Sequence, residues 1–187
     1  MTLQSPQPLF EEIFALAQHA MPELVNPAIN PQIAAKMPEF TASLERTFSP
    51  GHPRDCLHAA LWLLADNLNE SHIVCQNIPT HHGSAWHALL HRREGDFSNS
   101  KYWWRRCPDL PWHNLTGQIH AALAPLNPPA ALASWANKHA YDPAGFVDIV
   151  ASHVRQPSPC LTSALVIIQR LEWLALFADS WQSAQRP

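Results

Sequence analysis

Apolar residues recur at steps of three and four along nearly the whole chain and nowhere alternate for long enough to make a strand, so the pattern predicts helices throughout. After a polar lead over 1–8 that reads as flexible, Leu9, Phe10, Ile13, Phe14, Leu16 and Ala17 give a first helix ended by Pro22. Ile33, Met37, Phe40, Leu44 and Phe48 form a second stripe that Pro38 bends or divides. Beyond the turn Ser49-Pro50-Gly51-His52-Pro53, the leucines at 57, 61, 64 and 68 predict a central helix over 53–68. In the last third, prolines at 108, 111, 125, 128, 129, 143, 157 and 159 leave short helices at 115–123, 130–138 and 143–154, the last capped by Asp142. A longer helix over 161–181, apolar around most of its circumference, is expected to be buried. The whole reads as an all-α single domain over 1–187, an irregular bundle of about eight helices, several of them short and proline-delimited, with 53–68 and 161–181 at its centre.

The pattern changes over 84–106, SAWHALLHRREGDFSNSKYWWRR, where polar and aromatic residues crowd together. As a helix over 84–94, at about 100° per residue, it puts His87, His91 and Glu94 on one narrow stripe beside an apolar face of Trp86, Leu89 and Leu90. Gly95 is placed to end that helix in a left-handed conformation, and Ser98 or Asp96 to cap the next, over 99–106. On this second helix Trp103 and Trp104 point one way, while Lys101 and Arg105, four residues apart, point another. Whether the Gly95 turn folds the two polar stripes together decides whether they form one mixed-charge site. At the end of the central helix Asp66 and Glu70, again four apart, share one face, where a helix C-terminus favours cations and a metal or an arginine is expected opposite.

Composition narrows the function. With 187 residues, 14% of them charged, a net charge of -3 and a pI near 6.4, the chain lacks the surplus of Lys and Arg that a nucleic-acid surface needs. Twelve histidines against twelve Lys plus Arg make the net charge sensitive to pH between about 7 and 5. Cys56, Cys75, Cys107 and Cys160 form no CxxC pair, and no secretion signal is evident, which together imply a cytoplasmic protein with reduced thiols. No run reaches the roughly 18 uninterrupted apolar residues of a membrane span, the nearest being 160–168, so no membrane partner is expected.

Two chemistries compete for the polar stretch. An H-x-x-x-H-x-x-E stripe offers neutral imidazoles and a carboxylate from one rigid helix face, with His72, His81 and His82 just upstream; His72, His87, His91 and Glu94 are the expected ligands of a divalent zinc, iron or manganese ion. Without a metal, His87 and His91 would serve as acid and base groups. The basic half, Arg92, Arg93, Lys101, Arg105 and Arg106 with Asn99 and Tyr102, suits a small anionic ligand, Arg92, Asn99, Lys101, Tyr102 and Arg105 being the expected contacts. The competing reading is a non-enzymatic scaffold or interaction protein, in which the histidines hydrogen-bond at the core edge and the arginines pair with Glu94, Asp96, Asp66, Glu70 and Glu172. Glu172 and Asp179, set in the apolar stripe of the last helix, need partners, and Arg93, Arg105 and Arg106 are the expected ones. His153 reads as a core histidine, Trp112, Trp135, Trp173 and Trp181 as packing residues, and Cys75 lacks a paired base. GxGxxG, P-loop and GxSxG motifs do not occur.

The stretch LLADNLNESHIVCQ followed by WHALLHRREGDFSNSKYWWRR resembles a signature of an uncharacterised family of bacterial and fungal soluble proteins. The resemblance covers roughly 57–106, with weaker matches at DPAGFVDIV and LEWLALF. It implies that the polar centre is shared across that family, and it carries over no catalytic role.

Overall fold

Proline and small polar caps set the element boundaries. The computed structural model describes residues 7–20, 23–107, 110, 114–138 and 140–186. The start of the expected lead, the breaks at Pro22, Pro108 and Pro111, Trp112 and the Cys160 side chain lie outside that description. Among the described residues the chain is helical and contains no strand, as the periodicity predicts.

The helices are α1 Gln7–Ala20, α2 Pro31–Ala34, α3 Met37–Thr47, α4 His52–Leu64, α5 Leu68–Cys75, α6 His81–Glu94, α7 Phe97–Trp104, α8 Leu115–Leu123, α9 Ala130–Ala136, α10 Pro143–Arg155 and α11 Pro159–Ala184, with a single 3-10 turn at Ala124–Leu126. Among the described residues eleven α-helices replace the expected eight or so, for local reasons. Pro38 sits in the first turn of α3 and divides the second stripe there, because a proline suits a helix start and disrupts its interior. The central helix stops at Leu64 because Asp66 adopts a left-handed conformation, φ 59°. Asn67 then caps α5, its side-chain oxygen accepting from the Glu70 N–H at 3.3 Å. Asp66 and Glu70 therefore do not share one helix face, and that expectation is corrected.

Two hydrophobic clusters form the interior. One joins α1, α3, α4 and α6 to the second half of α11 through Trp173, Leu176, Phe177 and Trp181; the other joins α8, α9 and α10 to its first half through Leu165 and Ile168. Over Leu161–Ala184, α11 is long and apolar enough to cross a membrane, yet half of that window is buried within the fold. The expected centre, α4 and α11, is present, but α6 is buried as well, with every residue from Gly83 to Arg93 out of solvent. Close packing begins at Gly83, where a Cβ would stand 2.4 Å from the Ile78 carbonyl oxygen.

A stretch carrying two arginines and two histidines can be buried only if its polar groups find partners. Arg92 meets Glu172 at 2.5 Å, and the Tyr141 hydroxyl donates to the same carboxylate at 2.5 Å. Burial, and then Glu172 itself, push the Tyr141 hydroxyl well above its usual pKa and keep it a donor. Arg93 pairs with Asp66 and donates to the carbonyls of Leu63 at 2.8 Å and Glu23 at 3.3 Å. Glu172 is thus held by Arg92 and Tyr141, and Asp179 by His82 at 2.6 Å; Arg93, Arg105 and Arg106 are not their partners. The residues that settle this lie far away in sequence, which local spacing cannot report. His153 is buried and shares a 2.9 Å hydrogen bond with Thr162, a core position as expected.

Candidate metal centre

The α5–α6–α7 unit assembles the site. Thr80 caps α6, its hydroxyl oxygen accepting from the Gly83 N–H at 3.1 Å, so the helix starts before Ser84 and ends at Gly95, φ 84°. That left-handed glycine turns the chain back, and Asp96 caps α7 by accepting from the Asn99 N–H at 3.1 Å. The two helices then pack along their length, and α5 packs on α6.

His72 on α5 and His87 and His91 on α6 come together at this junction, one ligand atom from each lying within 4.8 Å of the others. The His87 and His91 rings, one turn apart, stack with centroids 4.6 Å apart. His72 stands edge-on to both, at 4.8 Å from His87 and 5.4 Å from His91. Trp103 stacks on His87 at 4.2 Å.

The three imidazoles differ in their partners. His91 Nδ1 lies 2.9 Å from Glu94 Oε2, and Asn99 Nδ2 lies 3.1 Å from His91 Nε2. A carboxylate only accepts, so Nδ1 carries the proton and Nε2 the lone pair. His87, only 3% exposed, has no hydrogen-bond partner on either ring nitrogen among the described residues. One of those nitrogens always bears a lone pair, and leaving it unmatched in the interior costs about 1–3 kcal/mol. Burial, reinforced by the neighbouring His91 and His72, lowers the His87 pKa to about 3. Burial also lowers that of His91, against the opposing pull of Glu94. Both are neutral at pH 7, the form a metal requires.

Nitrogens 2.0–2.1 Å from a tetrahedral zinc stand about 3.4 Å from one another, so rotamer adjustments of about 1 Å would close the trio on an ion. No cysteine joins them, and burial raises the nearby Cys75 thiol to about 12.

Of the residues singled out in the sequence, His72, His87 and His91 converge. Glu94 stands behind His91 rather than among the three, the position of a residue that orients a ligand. Asn99 joins the centre from α7, and Lys101 does not: its ammonium meets Asp148 of α10 at 2.7 Å. Arg92 is wholly buried against Glu172 and Phe146, away from any surface ligand. Tyr102, Arg105 and Arg106 make an exposed rim, Arg106 donating to the Tyr102 hydroxyl at 3.1 Å and lying 5.3 Å from the Trp103 ring. The Gly95 turn therefore folds Asn99 and Trp103, rather than the cations, onto the histidines. Trp103 and Trp104 do not point one way: Trp104 enters the core while Trp103 covers His87. The spacing carried a signal for this, since Asn99 and Trp103 are four apart and define one face of α7, and Ser100 and Trp104 define the next. His81 is exposed, and His82 is engaged by Asp179.

No family model matches the chain, and neither a curated protein nor a solved structure matches it.

Proposed function

We propose that His72, His87 and His91 hold a divalent transition metal, zinc, iron or manganese, with Glu94 orienting His91, and that the centre serves a metal-dependent enzyme acting on a small anionic molecule. The observation that carries this reading is His87: a buried imidazole with neither nitrogen partnered, set against two further imidazoles. A metal bound by three imidazoles and open at another position supplies Lewis-acid chemistry, polarising a substrate oxygen or lowering the pKa of a bound water to about 7. His72, the least buried of the three, marks the side from which solvent and substrate approach. Arg105 and Arg106, which have no carboxylate partner among the described residues, are the anion-holding groups, Arg106 lying over the Trp103 ring that covers His87 and fixed by Tyr102. Arg92 drops out of that set, and Lys101 is engaged by Asp148.

The test is metal analysis of tag-free protein after exposure to zinc, iron(II) and manganese(II). One equivalent retained by the wild type and lost in His87→Ala and His72→Ala is expected; a wild type that retains none rejects the centre. The scaffold reading is favoured by a separate observation, the Arg92–Glu172 pair with both side chains at 0% exposure, and it applies to the arginine side of α6.

A further inference from the structure

We infer that Asn99 is the fourth protein ligand of the proposed metal, through its carboxamide oxygen, so that the site is a three-histidine, one-amide centre. The inference rests on the metal reading above and extends it to a residue that neither histidine spacing nor carboxylate chemistry would select.

The tautomer of His91 is set by its neighbour. Glu94 accepts a hydrogen bond from Nδ1–H, so the lone pair of His91 is on Nε2, the atom from which it would coordinate. That lone pair faces Asn99 Nδ2 at 3.1 Å. A cation bound to Nε2 takes the same lone pair, about 2.1 Å from the nitrogen, and so sits against the Asn99 amide. The amide N–H, positive at its hydrogen, cannot face a cation. The amide oxygen can, and a half-turn about the Cβ–Cγ bond exchanges the two atoms at nearly the same position with no change in backbone or volume.

The turn gives up the amide's contact with the Asp96 carboxylate and leaves the backbone in place. The Asn99 backbone is fixed independently of its side chain, because its N–H donates to Asp96 Oδ1 at 3.1 Å in the cap of α7. On the same face of α7, Trp103 stacks on His87 and fixes the distance of the helix from the histidines. The other possible donors near the trio are occupied or unsuitable: Glu94 holds His91, Asp96 accepts from the Asn99 N–H and the Ser98 hydroxyl, and burial holds the Cys75 thiol in its protonated form. Three imidazoles and one carbonyl oxygen suit zinc, iron(II) or manganese(II) and disfavour copper(I), which prefers thiolates.

The experiment measures zinc affinity by competition with a chromogenic chelator at pH 7.5, and the visible absorption of the cobalt(II) form, for wild type, Asn99→Ala and Asn99→Asp. Asn99→Ala is expected to weaken zinc binding about tenfold or more and to shift the cobalt spectrum, and Asn99→Asp, which keeps an oxygen in the same place, to restore tight binding. Should Asn99→Ala not fold, judged by circular dichroism, Asn99→Leu of nearly the same volume takes its place with the same expectation. Unchanged or tighter binding in Asn99→Ala or Asn99→Leu overturns the inference, tighter binding meaning that the amide only competes with the ion. Those results leave the three-histidine centre standing if His87→Ala still loses zinc. A wild type that binds neither zinc nor cobalt rejects both.

Discussion

Arg92 and Arg93 on one side of α6 and His87 and His91 on the other are almost equally withdrawn from water, at 0%, 0%, 3% and 6% exposure, yet they are treated in opposite ways. Each arginine meets a carboxylate drawn from another helix or loop, and Arg92 also lies 4.6 Å from the Phe146 ring. On the histidine side one imidazole is partnered on both nitrogens and its neighbour on neither. Burial alone does not separate structural from functional polar residues, but neutralisation of charge does: both arginines leave a guanidinium nitrogen unpaired, yet each positive charge meets a carboxylate. A charge that must be neutralised for the chain to fold has its partner built in, whereas a lone pair left unmatched inside the protein is available to something from outside.

The largest effect should come from the arginine side. Arg92→Met leaves Glu172 buried with Tyr141 as its remaining partner and is expected to destabilise the fold by about 3–5 kcal/mol in urea unfolding. Adding Glu172→Gln should recover much of that loss. If Arg92→Met costs less than about 1 kcal/mol, the pairing does not hold the helix in place.

On the histidine side the effect is small near neutral pH and grows as pH falls. His87 is held at about 3 in the folded chain against an ordinary 6.5, so between those values the unfolded chain binds a proton that the folded chain refuses. Its contribution to stability is complete above about pH 6.5 and is lost as pH falls, by at most about 1.4 kcal/mol per unit. Unfolding in the presence of a chelator should show that slope in the wild type and a shallower one in His87→Leu; equal slopes would mean that His87 protonates without resistance. The smallest effect belongs to the exposed Lys101–Asp148 pair, where Lys101→Ala should change stability by less than about 1 kcal/mol and leave zinc binding unaltered. Loss of zinc in that variant would mean that α7 depends on α10 for its position.

What the sequence disclosed follows from the range over which each interaction acts. Helical periodicity is local, and so the fold class, the boundaries of α8, the Asp142 cap of α10 and the Gly95 turn are all legible in it. The convergence of His87 and His91 is legible for the same reason, because one helical turn enforces it. His72 was legible as a candidate, although the helix that delivers it was not, its apolar residues being too few to show a period. The destination of each arginine was not: Arg92 and Arg93 are neighbours in sequence, and which of them reaches Glu172 depends on how α11 and the left-handed Asp66 are placed by the rest of the core.

The Gly95 turn has a further consequence for the order in which contacts become affordable during folding. His72, His87, His91, Asn99 and Trp103 all belong to one continuous segment, whereas the Arg92–Glu172 tie joins residues 80 positions apart. Loop-closure entropy grows by about 0.6 kcal/mol for each doubling of the loop, and the segment from 72 to 103 spans less than half of that distance. The histidine junction is therefore closed by short-range chain entropy, and the returning α11 locks, from the far side of α6, a unit whose own contacts do not require it.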